Sequence, residues 1–197
     1  MKFSYHFKLL FVVCFIVSGC SSAASYYHVK AMPDNAQSIK YENNYQVVIS
    51  GKEKTTVALF PMNDLLNNND VNNFYIIINN KGYGIVNFSS DNIRAKCNSG
   101  NIRIFSYDES VNIFNKKNEP DLRGLGPSEL NTIMAAYLAS ASKIKKPEQP
   151  NFLKRQSISQ GQEYGGIIQI YCDNCEGNIV FDITAQDENH NFNFSLF

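Results

Sequence analysis

From Gln46 onward the chain is cut into short runs of β-branched and aromatic residues, each stopped by Asn, Gly or Pro, and this punctuation constrains the fold most. Side chains of this kind suit a pleated, half-buried surface, and the stops between them suit turns. Gln46–Ile49 (QVVI) ends at Ser50-Gly51, and Thr55–Phe60 (TTVALF) follows a charged Lys-Glu-Lys turn. The second run halts at Pro61, which has no N–H to give to a ladder. Asp64–Asn73 reads as a connection, since Asn tolerates left-handed backbone. Phe74–Ile78 (FYIII) is predicted to turn at Asn79-Asn80-Lys81-Gly82 and pair with Tyr83–Phe88 (YGIVNF). A second hairpin is expected from Ile93–Cys97 and Ile102–Tyr107, and a third from Gly166–Cys172 and Asn178–Ala185 around Cys172-Asp-Asn-Cys175-Glu-Gly177. Asn191–Phe197 alternates Phe192, Phe194 and Leu196 against Asn193, Ser195 and Phe197, the period of a last strand with one buried face.

One stretch breaks the β pattern. In Pro127–Lys145 the residues Ile133, Ala136, Tyr137 and Ser140 recur at helical spacing, with Pro127 suited to a first turn and Lys143, Lys145 and Lys146 to the last. The reading is therefore mainly β: an antiparallel sandwich with one amphipathic helix inserted at about 127–145, best placed to close an open end of the core. At 197 residues the chain is long enough for one domain with a true core, assigned here to 45–197. Lys plus Arg and Asp plus Glu number 18 each, so no basic excess is available to displace counterions from nucleic acid.

The first twenty residues are an address. Lys2 and Lys8 precede a nine-residue apolar run, Leu9–Val17, too short for the ~20 residues that cross a bilayer. The run closes in Val17-Ser18-Gly19-Cys20, which resembles the lipobox of bacterial lipoproteins. The resemblance implies that 1–19 is a cleaved signal and that Cys20 carries acyl chains holding the protein on a membrane. The polar, small-residue stretch 20–44 reads as a tether, with room for one short strand near Tyr26–Val29. Ser21 after the cysteine is similar to lipoproteins sent to the outer membrane. Loss of Lys2 and Lys8 leaves a mature charge of −2, so lipid rather than basic side chains would attach the protein to the cell envelope. The run FYIIINNKGYGIVNFSSDNIRA, 74–95, is similar to part of the immunoglobulin-like domains of small bacterial lipoproteins, although the chain has no Trp for the Cys-Trp-Cys core of antibody domains. The function implied is a binding or structural module, with an envelope protein as a possible class of partner.

Among the five cysteines, Cys14 leaves with the signal and Cys20 takes lipid, so Cys97, Cys172 and Cys175 remain for the fold. The first reading is a local Cys172–Cys175 disulfide across a β-turn, leaving Cys97 as a free thiol; the alternative links Cys97 to one of the pair. A third reading makes Cys172 and Cys175 the centre of an envelope thiol-disulfide or hydrolytic enzyme, but redox chemistry wants its first thiol at a helix N-terminus. His28 falls in the tether and His190 in a polar turn, read as exposed, and no GxSxG elbow presents a nucleophile. Neither Gly82-Tyr-Gly84 nor Gly124-Leu-Gly126 completes a phosphate loop, and the aspartates do not form a calcium loop. No catalytic residue, metal or cofactor is assigned. Tyr26, Tyr27, Tyr41 and Tyr45 stand out as aromatics available to a binding face.

Overall fold

The computed structural model describes residues 26–42, 45–63, 65–67, 70–118 and 150–197, and among these the protein is mainly antiparallel β with one α-helix. The strands are β1 (Tyr26–Ala31), β2 (Gln37–Glu42), β3 (Tyr45–Gly51), β4 (Thr55–Pro61), β5 (Leu65–Asn67), β6 (Val71–Asn80), β7 (Val86–Phe88), β8 (Ile93–Ile104), β9 (Gln156–Ile158), β10 (Glu163–Ala185) and β11 (Glu188–Leu196). The helix, α1, is Tyr107–Asn118. The inserted helix expected at 127–145 lies outside the described residues.

The 23-residue β10 organises everything else. Its first half pairs with β6, its second half with β8 on one side and β11 on the other. One layer therefore runs β2-β3-β4-β6-β10 and the other β8-β10-β11-β1-β5. Period-two patterning decides what lies between them. Val57 and Leu59 of β4, Phe74, Ile76 and Ile78 of β6, and Phe192, Phe194 and Leu196 of β11 all point inward. At the centre the rings of Phe74, Phe181 and Phe194 meet at 4.8, 5.5 and 6.0 Å, tilted and edge-on. Each fully buried ring contributes about 2–3 kcal/mol by burial, and edge-on pairs add ~1 kcal/mol.

Three expected hairpins are corrected. β6 pairs with β4 and β10 rather than with the run after it, and Val86–Phe88 pairs instead with β9. Ile93–Ile104 is one strand lying along β10, because Asn98–Asn101 forms a bulged stretch opposite Asp173–Glu176 and not a turn. The Cys172–Gly177 turn is likewise a bulge inside β10, with Asn174 and Gly177 in left-handed backbone. Gly100, across from it, has a φ of 82°, and a Cβ there would lie 2.2 Å from the carbonyl oxygen of Asp173. Only glycine lets the two backbones approach so closely. At all three places the runs pair elsewhere than across the local turn signal: β6 with β4 and β10, both halves of β8 with β10, and the second half of β10 with β8 and, across Gln186-Asp187, with β11.

The tether boundary also moves. β1 pairs with β11 and β2 with β3, so the folded domain begins by Tyr26, well before residue 45. The β3–β4 hairpin and the inward Phe192, Phe194 and Leu196 match the sequence expectation.

Candidate functional site

Helix α1 sits where the chain leaves β8, and its start is coded locally. Ser106 and Glu109 form a reciprocal cap: the Glu109 N–H donates to Ser106 Oγ at 3.3 Å and the Ser106 N–H to Glu109 Oε2 at 2.9 Å. Glu109 is also bonded by the Arg103 guanidinium. The backbone and side-chain hydrogen bonds of Ser106, with help from Arg103, hold the Glu109 carboxyl below its ordinary range. The Ser-x-x-Glu signal stands in the sequence before Val111, Ile113 and Phe114, masked by the strand-like pattern of Ile102–Tyr107, and Tyr107 is the first helical residue rather than the end of a strand.

Opposite the helix, residues 150–153 run along β10 at its Gly165-Gly166 pair. A Cβ on Gly166 would come within 2.9 Å of Leu153 Cα, so the glycine is what admits the second chain. The Leu153 N–H donates to Ile167 O and the Ile167 N–H to Asn151 O, both at 2.8 Å. This brings Phe152 against Phe114 of α1, edge-on with centroids 6.1 Å apart.

Between these elements is a cavity of about 380 Å³. Met62, Ile113, Phe114, Phe152 and Ile167 supply its apolar wall, and Asn73, Gln169 and Lys117 its polar points. That volume falls within the range of small-molecule sites, which combine an apolar lining with a few convergent polar groups. Gln169 is buried, and its Nε2 donates to Asn73 Oδ1 at 3.1 Å while its Oε1 has no partner. A buried acceptor without a donor costs about 1–3 kcal/mol, and this one lies within the cavity wall.

A second polar cluster lies between the layers. His190 is 0% exposed, which corrects its reading as an exposed turn residue: it belongs to β11 and occupies an inward register position. The Thr55 hydroxyl donates to Glu188 Oε2 at 2.6 Å, leaving its oxygen to accept from His190 Nε2 at 2.8 Å. His190 Nδ1 then accepts from the Ser50 hydroxyl at 3.0 Å. This order assigns the proton of the neutral imidazole to Nε2. Burial is the main reason the imidazole is held below its ordinary pKa, and Lys52 and Lys81 push the same way against Glu188 and a hydrogen bond with the Ser50 backbone. Glu188 is desolvated too, but hydrogen bonds from the Thr55 side chain and the Lys54 and Thr55 N–H groups outweigh that and keep it ionised. The Ser-His-Thr-Glu chain resembles a hydrolase relay in connectivity, yet its serine is buried in the core, where it joins β3, β4 and β11.

The cysteines sort differently from the first reading. Cys97 of β8 is bonded to Cys175 of β10, with Cα atoms 5.8 Å apart and 78 residues between them, and Cys172 is the free, buried thiol. The local Cys172–Cys175 disulfide is thereby replaced by the alternative link from Cys97. Burial pushes the Cys172 thiol up to about 12, partly offset by a hydrogen bond with Asn72, so it stays protonated at neutral pH. Cys20, the expected lipid site, lies outside the described residues. Among the described residues there is no group of three or more metal-ligating side chains, and no helix is long and apolar enough to cross a membrane.

No family model, curated protein or solved structure matches this chain.

Proposed function

We propose that this chain is a lipid-anchored protein of the bacterial cell envelope, held through Cys20 and directed to the outer membrane by Ser21, whose domain is a binding module. The two antiparallel layers support an immunoglobulin-like sandwich as its architecture. The ligand class follows from the cavity under α1: a small, mostly apolar molecule carrying one N–H or O–H donor. The observation that carries this reading is the cavity of about 380 Å³, walled by Met62, Ile113, Phe114, Phe152 and Ile167 with Asn73, Gln169 and Lys117 as its few polar points. An enzyme centred on Cys172 and Cys175 is the weaker reading, since Cys175 is bonded to Cys97 and the Cys172 thiol is protonated.

The test uses 1-aminoanthracene, an apolar fluorophore with an amine donor. Its emission should rise and shift to the blue with the wild-type protein and stay near the free-probe level with Ile113→Trp, which fills the cavity. Gln169→Leu removes the acceptor and should weaken binding roughly tenfold, the equivalent of one hydrogen bond. Equal emission from wild type and Ile113→Trp sinks the cavity as a binding site.

A further inference from the structure

The corrected domain boundary has a geometric consequence. If Cys20 is acylated, Tyr26 of β1 follows it by six residues, so β1 begins within about 20 Å of the membrane surface even with the chain fully extended. A 25-residue tether would have left the orientation of the domain open; a six-residue one does not.

The residues brought to that position form one surface. Tyr26, His28 and Lys30 alternate outward along β1 and are exposed. Leu65 of β5 is the cross-strand partner of His28 on one side. On the other side the His28 N–H donates to Phe197 O at 2.8 Å, and the two rings lie 5.9 Å apart. Directly opposed residues in a sheet share a face, so Leu65, His28 and Phe197 form a row with Tyr26 two residues along. The exposures are 61% for Tyr26, 46% for Leu65 and 66% for Phe197, an apolar and aromatic surface where solvent would favour polar side chains. Lys30 continues the line on the same face.

We infer that this face of β1, with Leu65 and Phe197 beside it, rests in the headgroup layer of the bilayer that holds the Cys20 lipid. Aromatic rings with a polar edge favour that layer, and a lysine beside them meets lipid phosphate. The inference deepens the anchored reading and rests on it. It orients the molecule, because β11 carries the chain about 30 Å away from Phe197, to the turns of Lys54, Tyr83 and Gln186. Tyr83, 87% exposed, is thus held in water at the far end.

The chain contains no Trp, so a single introduced one reports without background. Full-length Tyr26→Trp, Phe197→Trp and Tyr83→Trp proteins, made in an acylating bacterial host, are reconstituted in phosphatidylethanolamine–phosphatidylglycerol vesicles brominated close to the headgroup. Emission at positions 26 and 197 should be quenched to roughly half and shifted to the blue, with position 83 unchanged, because bromine quenches only at near-contact range. Intact mass separates the two readings. Acylated protein in which 26 and 197 are quenched no more than 83 overturns the membrane-facing surface and leaves the anchor standing; protein without acyl chains that stays off the vesicles overturns both. A blue shift at 197 that rises with protein concentration in lipid-free detergent would assign the face to a second copy and also overturn the proposal.

Discussion

His190 shows how one buried residue sets a response to acid. Its folded pKa lies below its unfolded value near 6.5, so the unfolded chain binds the extra proton first as pH falls. The stability from the neutral imidazole is fully present above pH 6.5 and is lost as pH falls below it. Glu188, also depressed, adds a loss of the same sign below its ordinary value of 4.5. Unfolding by urea should therefore need less denaturant at pH 5 than at pH 7. His190→Ala should cost about 2–4 kcal/mol at pH 7, from the cavity and the unpaired hydroxyls, and should flatten the slope between pH 7 and pH 5. A slope that persists in His190→Ala would place the titrating group elsewhere. None of this was readable in Asp187-Glu-Asn-His190, a segment as polar as any turn: Glu188 and His190 are drawn inward by Thr55 and Ser50, more than 130 residues away.

Among the elements, β8 and β10 depend on each other more than any local pair. The Cys97–Cys175 bridge closes a long loop, and its removal in Cys97→Ser should cost about 2–5 kcal/mol, read as a lower thermal midpoint that reductant no longer changes. Cys172, buried and protonated, should resist a thiol reagent in the native protein and react once urea is added. Reaction of two native thiols, or of none after unfolding, would contradict this pairing. Gly100→Ala meets the Asp173 carbonyl at the same bulge and should lose at least 1–3 kcal/mol. Strand segments here were legible from period-two patterning, as β4 and β11 show, whereas partners were not. Two halves of β8 looked like a hairpin because Asn, Ser and Gly suit a turn and a bulge equally well.

At the scale of the whole molecule, palmitate labelling should be present in the full chain and absent in Cys20→Ser; label retained by the variant would remove the anchor. The lipobox resemblance, the mainly β composition of the fold and the inward faces of the strands are properties of neighbouring residues, and the sequence alone determined them because each depends on local spacing. The cavity under α1, the burial of His190, the Cys97–Cys175 bond and the outward aromatic row on β1 were decided only by tertiary structure. Each of them brings together strands far apart along the chain. That choice is made by the fit of apolar faces across the core and by where a bulge or a glycine lets backbones approach, and no short window of sequence carries it.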